Sequence, residues 1–421
     1  KSLLRVSQFD GEPRFELLRV IRDYAEQDLE LQGEVTDACQ RHARHFLELA
    51  EQAARELKGH EHARWFRRLD KEQDNFRVML ARGRFTDGYL YAARLAAALP
   101  YYWYVRGYTE EGSRILESIL SGAADQLETQ LHIRLLHGAG MMAIGQGEYL
   151  VAKTKYELHL DLARRIEDWD GVQRALGNLG IIADSLGDFV AARSYYQQTL
   201  DLALQLENTG SIATSLLNLG TVAYAQGELA EAELFFRQSL SIMESMGDPN
   251  GVAIAAANLG RLASYHGDHD AAKSLLERAL SVAEGVGDTR MIATILDGLG
   301  SVAVRQGDAR VAARCFQRSL NVALDLREKV PLLDVLRSFI EFENKYGSSQ
   351  RAAQLWGFEE KERAELGIAV APTDLHTHQD VLEMIRGNVG SEALAALLAL
   401  GRRLDLAQAV AFAMSSRSLA A

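Results

Sequence analysis

The sequence predicts an all-α protein: a superhelical solenoid of about seven helical hairpins with helical caps at both ends. Three observations carry that reading. A 40-residue period runs from Leu131 to Leu326 without an insertion. Within each unit the apolar residues recur at three- and four-residue steps, which is one face of a helix. The chain holds only 5 prolines in 421 residues, and strand-like alternation is nearly absent. Self-similarity at a fixed period marks architectures whose units bury their apolar faces only by stacking on their neighbours.

Small and large residues mark the period in a fixed order. Gly140, Gly180, Gly220, Gly260 and Gly300 come first, and Gly147, Gly187, Gly227, Gly267 and Gly307 follow seven residues later. Ala152, Ala192, Ala232, Ala272 and Ala312 come next, then Leu160, Leu200, Leu240, Leu280 and Leu320. In the unit around Gly180, Leu176, Leu179 and Ala183 share one face of a first helix. Gly180 has no side chain, so a second helix can pack close against it. Gly187 ends the first helix, because glycine takes the left-handed conformation that a helix exit often needs. The second helix is expected from about Phe189 to Leu206, with Ala192 as its small contact and Tyr196 and Leu200 as its large ones. The slot of Tyr196 reads Tyr156, Phe236, Leu276 and Phe316 in the other units.

The flanks follow from the same pattern. Residues 1–17 hold two short extended segments around Asp10-Gly11-Glu12-Pro13, as in a hairpin. Two strands alone are marginal in water, so they are expected to be the remnant of a preceding domain. Residues 18–87 read as linker helices over about 18–30, 34–57 and 61–82. The last two carry Phe46, Leu47, Trp65, Phe66, Leu69 and Phe76 on their apolar faces. His60 and His62 lack a third ligand nearby and read as solvated surface rather than a metal site. Residues 88–122 are a degenerate hairpin in phase with the array, since Gly107 and Leu120 stand 40 residues before Gly147 and Leu160. Its first helix carries Tyr101-Tyr102-Trp103-Tyr104. Residues 328–366 make the seventh hairpin, with Gly347, Ala352 and Trp356 in phase but Ile340 and Glu343 in two small-residue slots. The solenoid thus spans 88–366. Beyond Ala371 the phase is lost, and 367–421 reads as a cap with helices near 374–387, 391–400 and 406–414. His376 and His378 are expected on its surface.

Composition narrows the function. The net charge of −12 argues against a broad nucleic-acid-binding face. No apolar run reaches the length of a membrane span, and no signal peptide is visible. Cys39 and Cys315 lie far apart in helical patterns, which fits a reducing, cytoplasmic setting better than a disulfide framework. The chain begins at Lys1, so a longer protein is expected. The phosphate-loop, nucleophile-elbow, H-E-x-x-H and C-x-x-C patterns are all missing, and the glycines are periodic, so they belong to packing. The expectation is a protein that is not an enzyme, with no cofactor and no metal.

The order of Gly, Ala, aromatic and Leu over residues 131–326 resembles the tetratricopeptide repeat. The usual unit is about 34 residues. The longer unit here is similar to the sensor domain of the bacterial maltose-regulon activator and its relatives. Three further stretches resemble bacterial STAND-type (NB-ARC-type) NTPase regulators. They are Arg14-Phe15-Glu16-Leu17-Leu18-Arg19-Val20-Ile21-Arg22-Asp23-Tyr24-Ala25, then Leu69 to Arg77, and Gly401 to Ala411. The resemblance implies a right-handed superhelix, a winged-helix remnant at 1–17, and a missing NTPase part whose state the repeats control. It also implies that first helices line a concave groove.

Counting Gly180 and its equivalents as position 8, the groove positions place Asn178, Asn218 and Asn258 in a ladder. Around it stand Arg134, His137, Met141, Arg174, Ile181, Asp184, Leu217, Thr221, Tyr224, Arg261, Tyr265, Asp297 and Arg305, with Tyr101 and Tyr104 at the mouth. An asparagine amide donates and accepts, so a ladder can pair with an extended peptide backbone, or else serve bonds within the solenoid. The two tyrosines are a ligand platform or part of the core. Three functions remain open: a sensor arm that takes a peptide, protein or small-molecule inducer, a free-standing scaffold that binds extended peptides, and, more weakly, a self-assembly module.

Overall fold

The computed structural model describes residues 4–9, 12–57, 62–82, 89–123, 127–326 and 329–420. His60 lies outside these residues, as do the side chains of His62 and His376. Strands β1 (Leu4–Phe9) and β2 (Glu12–Leu17) pair antiparallel, with Val6 opposite Phe15. Helices α1 (Arg19–Gln32), α2 (Val35–Glu56) and α3 (His62–Arg82) follow. The degenerate hairpin has a broken first arm, α4 (Tyr89–Ala98) and α5 (Pro100–Val105), and a second arm α6 (Thr109–Ala123). The break falls at Pro100, which lacks the N–H that a continuous helix needs.

Six regular hairpins come next: α7 (Thr129–Gln146) with α8 (Tyr149–Arg165), α9 (Trp169–Ser185) with α10 (Phe189–Gln205), and α11 (Thr209–Gln226) with α12 (Leu229–Met246). They continue as α13 (Pro249–Tyr265) with α14 (His269–Val286), α15 (Thr289–Gln306) with α16 (Ala309–Asp325), and α17 (Lys329–Tyr346) with α18 (Ser349–Leu366). The cap is α19 (Pro372–Val389), α20 (Ser391–Gly401), α21 (Leu406–Met414) and a 3-10 turn at Arg417–Ala420.

Local chemistry sets the hairpin. A Cβ on Gly140, Gly180 or Gly220 would lie 2.5, 2.4 or 2.6 Å from the ring of Tyr156, Tyr196 or Phe236, so the glycine is where the aromatic enters. Asp168, Asp188, Asn208, Asp248, Asp268, Asp288 and Asp308 cap the helices that follow them. Each accepts from the backbone N–H three residues on, at 2.9–3.1 Å. Successive first helices touch one another, α7 with α9 and so on to α15 with α17, which puts them on the inner side of the curve.

The last hairpin departs from the pattern for a reason. Glu343, in a small-residue slot, is 1 % exposed. Its carboxylate accepts from Arg351 Nε at 3.1 Å, from Ser418 Oγ at 2.7 Å and from Ser416 Oγ. It thereby ties the end of the cap onto α17 and α18. Helix α20 packs along α18, and α21 reaches α16 and α18. His378 corrects the sequence expectation of a surface residue: its ring stacks on Trp356 with centroids 3.8 Å apart. Burial against that indole, with Arg337 and Arg363 nearby, lowers its pKa to about 4. A stacking partner on another element leaves no periodic trace in the sequence.

The superhelix completes a turn and meets itself. Thr289 Oγ1 donates to the Val105 carbonyl at 3.3 Å, across 184 residues. The Arg290 guanidinium lies 4.1 Å over the Tyr104 ring. A Cβ on Gly107 would sit 2.8 Å from the Leu326 carbonyl oxygen, and one on Gly147 would sit 3.3 Å from Leu366 and from Val330. Helix α17 touches α7, and α14 touches α3.

Candidate functional site

The ladder residues stand on three consecutive first helices that touch in sequence. Asn178 on α9, Asn218 on α11 and Asn258 on α13 are all half-buried. Asn178 Nδ2 donates to the Arg174 carbonyl at 2.8 Å and Asn258 Nδ2 to the Ile254 carbonyl at 3.1 Å, each one turn back on its own helix. Among the described residues, neither bridges to a neighbouring helix. The helix turn thus uses one N–H and orients the amide, while its oxygen and second N–H remain for another partner.

Beside the ladder, Arg261 lies 4.7 Å over the Tyr224 ring, and Tyr224 and Tyr265 meet edge to face at 6.1 Å. Tyr224 is buried while Tyr265 is 46 % exposed, so the pair offers an anchored aromatic face with one open edge. Burial raises the Asp184 carboxyl to about 6, against the pull of Arg261. Ile181 is exposed, and Thr221 is half-buried with its hydroxyl donating to the Leu217 carbonyl at 3.1 Å. The face therefore combines amides, aromatic surface, one guanidinium and one carboxyl.

Several of the other expected groove residues make contacts within the solenoid. His137 edges the rings of Tyr156 and His159 at 5.7 and 5.8 Å, turned toward the inside of its hairpin. Arg305 Nη1 donates to the Ser264 carbonyl at 3.0 Å, which ties α15 to α13. Asp297 Oδ2 accepts from Ser338 Oγ at 3.1 Å, its Oδ1 has no partner among the described residues, and burial pushes its carboxyl well above the usual range. Arg134 is half-buried, and burial lowers its pKa. Arg174 is exposed, 4.0 Å from Asp168. Tyr101 is half-buried beside Phe66, and burial pushes its phenol up to about 12. Met141 is half-buried on α7 and Leu217 is buried on α11. Arg290, which holds Tyr104, was not legible as a contact residue, because no period relates the two.

Among the described residues, no group of three or more His, Cys, Asp or Glu is placed to hold a metal ion. Among them, too, no helix is long and apolar enough to cross a membrane. A cleft lined by Leu80, Ile115 and the Arg77–Glu111 ion pair (2.7 Å) lies between α3 and α6, away from the inner face.

A profile of the tetratricopeptide repeat matches residues 131–205, 192–245, 211–285 and 251–325. Residues 131–325 match the tetratricopeptide repeat. No curated protein sequence matches the chain. Among solved structures, a Rap protein complexed with competence and sporulation factor superposes with a TM-score of 0.61 at 14 % identity, over 84 % of this chain and 96 % of that one. The apo form of RapI superposes with a TM-score of 0.51 at 16 % identity, over 62 % of this chain and 94 % of that one. At such identities the likeness shows the fold alone, a tetratricopeptide-like solenoid.

Proposed function

We propose that the inner face of α9, α11 and α13 binds an extended peptide, and that the chain is a protein–peptide interaction module. The observation that carries this is the ladder: Asn178, Asn218 and Asn258 recur at 40-residue spacing on adjacent first helices, two of them oriented by their own helix and, among the described residues, not bonded across to a neighbour. An extended backbone presents donors and acceptors in a regular row, which such amides can match. The Tyr224–Tyr265 pair and Arg261 would hold side chains, as anchors of this kind do. A solved neighbour of the same fold is complexed with competence and sporulation factor, which supports a bound factor as the class of ligand. The test is Asn218→Ala with Asn258→Ala. The double variant is expected to keep its melting temperature and to retain at least tenfold less of a randomised heptapeptide pool. A lower melting temperature with unchanged retention would make the ladder structural.

A second reading has its own observation. Val6, Phe15, Leu17, Val20 and Tyr24 on β1, β2 and α1 stay exposed, with Leu18 between β2 and α1. A patch of this kind marks an interaction surface. It supports the sensor arm of a STAND-type regulator, with 1–17 as a winged-helix remnant, 18–87 as linker, 88–366 as sensor and 367–421 as cap. In that reading the partner is the chain's own NTPase part, and the inducer is a peptide, a protein or a small molecule. Reading the gene upstream of the Lys1 codon tests it: a phosphate loop and winged helix in frame support the sensor, and a start codon close by sinks it.

A further inference from the structure

The chain that leaves the seventh hairpin does not stay with it. Ile368 packs with the cluster of Tyr149, Leu176 and Leu179, on hairpins five and four places back. The Ala369 N–H donates to the Ser185 carbonyl at 3.1 Å. The Ala369 methyl lies only 2.6 Å from where a Cβ on Gly187 would be. Helix α19 then begins at Pro372 and touches α11 as well as α17, both first helices. The segment therefore spans from the last hairpin to α9 and α11, the helices that carry Asn178 and Asn218.

The hold is light. One backbone hydrogen bond, the side chains of Leu366 and Ile368, and the contact of α19 with α11 make it, while Leu375 and Met384 of α19 remain 40 % and 51 % exposed. Elements that open first are those with few buried apolar contacts. Both ends of the segment are fixed more firmly: Leu366 ends α18, and Val381 and Ile385 of α19 are buried in the core under the cap. A short irregular stretch between firm anchors can leave its seat without unfolding what it joins.

We propose that residues 367–375, between those two anchors, are a clasp that shuts one edge of the groove over α9 and α11, and that its release admits the ligand. The ligand in this statement rests on the peptide reading; the motion does not. Closed, the clasp links the two turns of the superhelix at Ser185 and Gly187. Released, it leaves those turns joined through Thr289–Val105 and Arg290–Tyr104.

The experiment uses the full chain with Cys39→Ser and Cys315→Ser, carrying Ser185→Cys and Ala369→Cys. The 3.1 Å bond from the Ala369 N–H to the Ser185 carbonyl keeps the two backbones adjacent, as a disulfide requires. The oxidised protein is expected to retain at least tenfold less of a randomised heptapeptide pool than the same protein after reduction. Equal retention in the two states overturns the clasp. In a second arm Ala369→Pro removes the donated N–H, and the radius of gyration by small-angle scattering is expected to rise, with faster protease cleavage between 366 and 372. An unchanged radius and cleavage rate overturn the clasp as well. If even the reduced protein retains no peptide, the groove reading falls, and the scattering arm alone decides the clasp.

Discussion

The turn glycines allow the closure of the superhelix to be measured apart from local strain. Gly107, Gly147, Gly187, Gly227, Gly267 and Gly307 hold the same place in successive hairpins, with φ between 71° and 82°. Alanine there costs roughly 1–2 kcal/mol for its left-handed backbone. About 0.4–1 kcal/mol of that is offset, because alanine also restricts the unfolded chain. The net penalty of about 1 kcal/mol should be common to all six. What differs is the neighbour. A Cβ at Gly227, Gly267 or Gly307 meets nothing within 4 Å. At Gly187 it meets the Ala369 Cβ at 2.6 Å, at Gly107 the Leu326 carbonyl oxygen at 2.8 Å, and at Gly147 it meets Leu366 and Val330 at 3.3 Å. Overpacking of this kind adds roughly 1–3 kcal/mol.

The expected order is therefore Gly227→Ala mildest, Gly147→Ala intermediate, and Gly187→Ala and Gly107→Ala most destabilising. The chain can also relieve the Gly187 clash by parting from Ala369, so the excess there is bounded by the free energy of that contact. Urea unfolding followed by circular dichroism gives the penalties. Hydrogen exchange at the Ala369 amide, which bonds to Ser185, shows whether the contact has opened. Equal penalties at all six positions, with unchanged exchange at Ala369, would refute the packing of one turn on the next.

Three further outcomes follow from the geometry. Glu343→Ala removes the buried carboxylate on which Arg351, Ser416 and Ser418 converge and should cost about 1–3 kcal/mol, with residues 406–420 becoming protease-sensitive while 131–325 stay protected; a resistant cap would deny Glu343 its anchoring role. His159 and His378 have pKa values lowered to about 4, by burial first. The unfolded chain then binds more protons below about 6.5, so the stability they contribute is present above that pH and is lost as pH falls toward 4, at roughly 1.4 kcal/mol per unit per group. Asp184, raised to about 6, runs the other way, its contribution falling as pH rises from about 3.8 to 6. His159→Leu should flatten the acid limb of urea midpoints taken from pH 7 to pH 4.5, and an unchanged slope would sink the assignment. Tyr265→Ala, at the open edge of the aromatic pair, should weaken peptide retention severalfold with no change in the urea midpoint; full retention would remove that pair from the site.

The sequence by itself determined the unit and its stacking. Gly180 against Tyr196, the left-handed turn at Gly187 and the Asp188 cap are contacts within one hairpin or between adjacent ones. A period repeats such contacts, so it displays them. The β1–β2 pair and the seventh hairpin were legible for the same local reasons. The site was legible only in part. The ladder positions fall on three first helices that touch in sequence, each amide half-buried. The tertiary structure decided which other inward positions stay available: His137 turns toward Tyr156 and His159, Arg305 reaches Ser264, and Tyr104 lies under Arg290. It also decided how far the superhelix winds. Each hairpin adds a small rotation, and the sum over the array places Val105 beside Thr289, 184 residues on. No single unit encodes that sum, so the periodic sequence holds the hairpin and its neighbour, while the meeting of the turns exists only in three dimensions.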